Sequence, residues 1–138
     1  MTPAPRVEGW AWDARQFERA VQACNRLRPA FVVVGGDMVD DPSEEGQYDD
    51  LCRIAATLDG IPIHWVPGNH DAASDFTAPT PDSLALYRRR FGADAYAFDH
   101  EGARFIALNS VVLDHPEHVA AEPRTFVVAQ HEQAGGDQ

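Results

Sequence analysis

Two short blocks hold the residues best suited to chemistry: Gly-Gly-Asp-Met-Val-Asp at 35–40 and Pro-Gly-Asn-His-Asp at 67–71. Each follows a short apolar run, Phe31–Val34 for the first and Ile61–Val66 for the second. In an α/β sheet, reactive groups gather outside the carboxyl ends of the strands. Two strands there deliver Asp37, Asn69 and His70 to one edge. A carboxylate, a side-chain carbonyl and an imidazole at one edge suit divalent-cation ligands together with a proton donor. Gly35, Gly36 and Gly68 let the backbone turn tightly as it leaves each strand.

The elements that must position these blocks are legible from spacing. Asp13 can cap a helix, with Gln16 in capping-box spacing; Phe17, Ala20, Val21, Cys24 and Leu27 then form an apolar face that Pro29 ends. Residues 1–12 read as irregular. Ala30–Val34 reads as a strand covered on both faces. After a polar loop at 41–47, Leu51, Ile54, Ala55 and Leu58 mark a second helix closed by Gly60. Ile61–Val66 completes a strand–helix–strand unit, which implies a parallel pair. Leu84, Tyr87 and Phe91 predict a third helix ending at Gly92. Tyr96–Asp99 and Arg104–Asn109 flank His100-Glu101-Gly102, a hairpin signal. Thr125–Ala129 reads as a further short strand.

Composition bounds the partners. The chain has 138 residues, one domain's worth, with 44% apolar content and a net charge of −11. That charge disfavours a nucleic-acid or anionic-membrane surface. The acidic residues Asp41, Glu44, Glu45, Asp49 and Asp50 read as a solvated face. Cys24 and Cys52 fall in predicted helices and read as buried free thiols. No apolar run approaches a membrane span, and the N-terminus lacks a signal-peptide layout, so a cytoplasmic location is expected.

The paired blocks resemble those of the calcineurin-like metallophosphoesterases, and within them the calcineurin-like phosphoesterase domain-containing serine/threonine phosphatase subgroup. The likeness extends to the helix Gln16–Leu27, Asp94–Phe98 and Phe105–Ser110. It implies an α/β fold, a partial α-β-β-α sandwich with a mixed sheet and covering helices. The implied activity is hydrolysis of phosphate mono- or diesters by metal-activated water, with two divalent ions of manganese, iron or zinc. Two such ions neutralise the ester's anionic oxygens and lower the pKa of a bound water. The resemblance makes Asp37 the bridging ligand and Asn69 a ligand of the second metal. His70 would face the substrate, oriented and made more basic by the adjacent Asp71. If residues 69–70 are extended, His70 points away from the contact made by Asn69. Asp40 either supports the ligands or is a plain loop carboxylate, and Asn109 with Ser110 either shapes the site or serves structure alone.

His131 ends the run Val127–Gln130 as the family's metal-binding histidine does, although the interval before it is shorter than the family's and the following residues depart from its pattern. The other histidines read as packed (His64) or as loop residues (His100, His115, His118). Arg88-Arg89-Arg90 reads as a solvated helix end rather than a phosphate clamp. The family's first-strand Asp-x-His or Asp-x-Gln and its later Gly-His-x-His are missing from the sequence. The expectation is therefore an incomplete site: an irregular segment at 1–12, a partial metallophosphoesterase domain at 13–131 and a disordered tail at 132–138. Substrates would be phosphoproteins, nucleotides or small phosphoesters. Unpaired strand edges would favour self-association. The rival expectation is a non-catalytic fragment or binding module that keeps a partial metal site.

Overall fold

A computed structural model describes residues 9–72 and 79–114. Helix α1 spans Gly9–Leu27, strand β1 Val32–Gly35, helix α2 Glu45–Ala55 and strand β2 Ile63–Val66. A single helical turn, α3, covers Asn69–Ala72; helix α4 Pro81–Phe91, strands β3 Tyr96–His100 and β4 Ala103–Ala107, and the short helix α5 Ser110–Asp114 follow. The arrangement is α/β, with helices beside a small parallel and a small antiparallel sheet. The predicted parallel pair forms in register, Val32 opposite Ile63 and Gly35 opposite Val66, so both strands end at the same level. The predicted 125–129 strand lies outside the described residues.

Helix α1 begins four residues before Asp13, which therefore sits inside the helix and does not cap it. The reason is packing. Trp10, Ala14, Phe17, Val21 and Cys24 follow one another at steps of four and three, and Trp10 and Phe17 pack on the cluster of Met38, Val39, Tyr48, Leu51 and Tyr87. Tertiary burial outweighs the local capping signal. The expected α1 face is displaced accordingly, and Leu27 is 81% exposed. Arg28, with φ of 56°, ends the helix in the left-handed region just before Pro29. Asn25 and Arg28 then bond to the backbone of the α2–β2 loop: Asn25 donates to the Thr57 carbonyl and Arg28 to that of Asp59. These bonds tie the end of α1 to the entry of β2.

Helix α2 buries Leu51, Ile54 and Ala55 as expected and Tyr48 besides, but it ends at Ala55, so Leu58 and Gly60 lie beyond it. Cys52 lies off that face and is exposed, not buried; Cys24 is half-buried, and both are free thiols. β1 is covered unevenly: Val34 packs on the main cluster, whereas Val33 is 50% exposed, so the strand is not enclosed on both faces among the described residues.

Helix α4 starts with a full capping box, Thr80 with Ser83, and Pro81 at its first turn. The hairpin turns at Glu101 and Gly102, both at positive φ (48° and 81°), the geometry a two-residue turn needs to match strand twist. An aromatic group joins hairpin and parallel pair. His64 stacks on Phe98 with ring centres 3.7 Å apart, Phe98 stacks on Phe105, and Phe31 meets Phe98, His100 and Phe105 in edge-type contacts. His64 is thus packed, as expected, while His100 belongs to a strand and this group, not to a loop. The three arginines of α4 are not uniformly solvated. Arg88 pairs with Asp94 at 2.7 Å, and Arg90 lies over the Tyr48 ring at 3.9 Å.

One buried group is unsatisfied. The Tyr87 hydroxyl lies in the core without a hydrogen-bond partner among the described residues. Burial pushes its pKa far above the ordinary 10, with the nearby Asp71 adding to the effect. A buried hydroxyl without a partner costs free energy. Tyr87→Phe is therefore expected to leave stability unchanged or to raise it by up to about 1 kcal/mol. Urea unfolding checks this, and a loss beyond about 1 kcal/mol would mean that the hydroxyl is bonded.

Candidate active site

The site is built where β1 and β2 end. Beyond β1 the backbone passes through the left-handed region twice, at Gly36 (φ 83°) and at Asp37 (φ 48°). Glycine adopts this freely, but a non-glycine residue there carries strain of order 1–3 kcal/mol. The two loops touch at their glycines. A methyl group added at Gly36 would lie 2.6 Å from the Gly68 nitrogen, and one at Gly68 would lie 2.5 Å from the Asp37 nitrogen. Both obstacles are main chain, which cannot swing aside.

Two carboxylates cross-link the loops. Asp37 Oδ1 accepts from the His70 amide at 3.2 Å. Asp71, buried, accepts from the Met38 amide at 3.1 Å and from the Gly68 amide at 2.9 Å. The Asp71 and Ala72 amides donate in turn to the Gly68 carbonyl, forming the turn α3. Its place beside His70 in the sequence suggests that Asp71 orients the imidazole. Its oxygens hold main-chain amides of both loops, which fixes the loops' separation. Burial raises the Asp71 carboxyl pKa above 3.8, and the amide bonds only partly offset this.

The turn also corrects the expected path of residues 69–70. Asn69 and His70 lie on a helical turn, not an extended chain, so their side chains diverge by about 100°. His70 is half-buried and lines the cleft described next, whereas Asn69 is exposed and is not among the residues that line it. Asp37, Asp40 and His70 line one cleft of about 420 Å³ together with Met38, Val39 and, from α1, Trp10, Asp13 and Gln16. Asp40 thus shares the cleft with Asp37. Asn109 does not line it. Asn109 is 1% exposed and donates to Asp94 at 3.2 Å while accepting from the Val111 amide. It links the Arg88–Asp94 pair to the start of α5, and Ser110 is exposed there. His131 lies outside the described residues.

The α1 residues of the cleft are hidden in the sequence because Asp13 imitates a helix start. The signal is present in the apolar spacing, which runs unbroken back to Trp10. Asp50, one of the acids expected on a solvated face, also has a specific partner. It accepts from the Trp10 indole at 2.9 Å, a bond that lowers its pKa.

A carboxylate and an amide carbonyl on adjoining loops suit a hard or borderline divalent cation. They are two donors where such an ion takes four or more. Among the described residues no three His, Cys, Asp or Glu side chains gather as a metal site.

The model of the calcineurin-like phosphoesterases matches residues 10–132, and the chain belongs to that family. Relatives include the serine/threonine-protein phosphatase CPPED1 of Bos taurus, 39% identical over 111 residues, which are 75% of this chain and 34% of the relative. The CPPED1 proteins of Homo sapiens, 34% identical over 78% of this chain and 35% of theirs, and Danio rerio, 35% identical over 73% and 34%, are similar too. The chain spans about a third of the length of these relatives. No solved structure matches the chain.

The clasp makes a direct forecast. Asp71→Asn keeps one acceptor and turns the other oxygen into a donor facing an amide. It is expected to cost about 1–3 kcal/mol at neutral pH. Because the folded carboxyl titrates above the unfolded one, its contribution is fully present below pH 3.8 and is lost as pH rises through the folded value. The stability gap between wild type and Asp71→Asn should therefore narrow with rising pH across that interval. A gap that widens would place the Asp71 pKa shift in the wrong direction.

Proposed function

We propose that this chain carries part of the active centre of a divalent-metal-dependent phosphoester hydrolase. The observation that carries the reading is that Asp37 and His70 line one cleft, with Asn69 next to His70 in the chain, on loops locked together by Asp71 and two glycines, within a calcineurin-like phosphoesterase sequence. Asp37 and Asn69, with His131, would hold the ions, which when bound neutralise phosphate charge and acidify water. Manganese, iron and zinc all suit these donors. Such an ion would need further donors besides these. His70, turned away from Asn69 by the helical step, would protonate the leaving oxygen or bind the phosphoryl oxygens. The relatives' name favours a phosphoprotein over a nucleotide or small phosphoester as substrate.

A second reading, a non-catalytic module with a partial metal site, rests on the two-donor set among the described residues. Turnover separates the two. This chain alone, with only part of the ligand set, should bind manganese weakly and turn over barely above background. In a full-length version, chelator-treated protein should regain hydrolysis of aryl phosphate on adding manganese, and Asp37→Ala there should abolish both the turnover and the manganese binding seen by calorimetry. His70→Ala should keep the metal but lower kcat by about 10²–10⁴ on an ester with a poor alkoxide leaving group, and by less on a p-nitrophenyl ester. Equal losses on both esters would remove His70 from leaving-group protonation. No turnover with normal metal binding would favour the second reading.

A further inference from the structure

We infer that Asp13 and Asp40 form a subsite for a cationic side chain beside the proposed phosphate position. The favoured substrate is then a phosphoserine or phosphothreonine segment with Arg or Lys next to the phosphorylated residue. The inference rests on the hydrolase reading for the phosphate position and, through the relatives' name, for the serine or threonine ester. Asp13, on the second turn of α1, and Asp40, beyond β1, line the same cleft as Asp37 and His70. Both residues are exposed. Asp37 accepts from the His70 amide, whereas the side chains of Asp13 and Asp40 have no hydrogen-bond or ion-pair partner among the described residues.

Neither carboxylate receives a cation from the described chain. A helix places ion-pair partners three and four residues away. For Asp13 those positions hold Gly9, Trp10, Gln16 and Phe17. Arg28, Arg53, Arg88 and Arg104 pair elsewhere, with Asp59, Asp50, Asp94 and Asp99. Among the described residues no arginine lines the cleft, and the sequence contains no lysine. Unneutralised carboxylates beside a reactive position attract a cationic partner and repel an anionic one. The cleft's volume of about 420 Å³ lies in the range that encloses a whole small ligand, about 300–1,000 Å³, so the residue flanking a phosphoryl group enters with it. The same charge opposes a second phosphate, which disfavours nucleoside polyphosphates.

The test uses unphosphorylated peptides, which need neither metal nor turnover. Amide NMR shifts of the full chain, treated with chelator, are followed as a peptide with two arginines before a central serine is added. The comparison peptide has alanines in their place. The arginine peptide should bind about 2–20-fold tighter, the range of two exposed ion pairs. The largest shifts should fall on Asp13, Gln16 and Asp40, and the preference should vanish in about 1 M salt. A chain of net charge −11 attracts any basic peptide, so place must be separated from bulk charge. Asp13→Asn should cut the preference about 1.5–5-fold. Glu101→Gln removes the same charge at the hairpin tip, next to His100, whose ring meets Phe31 at the end of β1 away from the cleft; it should leave the preference intact. Equal losses in the two variants, no preference in wild type, or shifts centred elsewhere would overturn the inference. In the full-length version, metal-dependent turnover without a basic-flank preference would overturn the subsite and leave the hydrolase reading intact. An Asp13-dependent preference without turnover would support the subsite and count against hydrolysis.

Discussion

The structure depends on how closely two loops can approach. Gly36 and Gly68 remove the side chains that would hold the β1 and β2 ends apart, and the Asp71 carboxylate then spans the junction to amides of both loops. Everything at the rim takes its position from this contact. The Asp37 carboxylate reaches the His70 amide because the loops touch, and α3 begins where it does because Gly68 accepts from the Asp71 and Ala72 amides. The cost is a buried carboxylate, whose raised pKa reports incomplete compensation for lost water. A structure that keeps such a group is using it for precise placement more than for net stability.

The scaffold around the clasp divides into two parts. α1 and α2 pack through the Met38–Tyr48–Tyr87 cluster beneath the first loop, while the β3–β4 hairpin is attached through stacked rings. Tyr96 adds a polar tie, its hydroxyl donating to the Trp65 carbonyl at 2.7 Å. The Arg88–Asp94–Asn109 chain, with Asn109 buried, sets α4 against the end of β4. Ser83 completes the frame by donating to the Ala72 carbonyl, so the last residue of α3 is held by α4.

Much of this is legible in the sequence for identifiable reasons. Short apolar runs ending in Gly-Asp and Gly-Asn-His-Asp announce strand ends, and the parallel pair follows from the helix between them. The flanking strand-like runs and Gly102 announce the hairpin, whereas the positive φ of Glu101 is not signalled by its residue type. What escapes a sequence reading is non-local. Asp71 bonds to Met38 in the other loop, and nothing about an aspartate after histidine reveals that its partners are main-chain amides. Asn109 resembles a rim residue by position, yet its partner is Asp94. The start of α1 is obscured because Asp13 carries a capping signal that the burial of Trp10 outweighs. Cys52 reads as apolar, but its place on α2 falls one step off the packed stripe.

Asp37 occupies a left-handed backbone position that a glycine or an asparagine would fill at lower conformational cost. Under the proposed hydrolase reading, the carboxylate would thus sit where folding alone favours glycine. A stabilising change there, Asp37→Gly or Asp37→Asn, would then remove the group that the proposal needs, so stability and activity would pull this position in opposite directions.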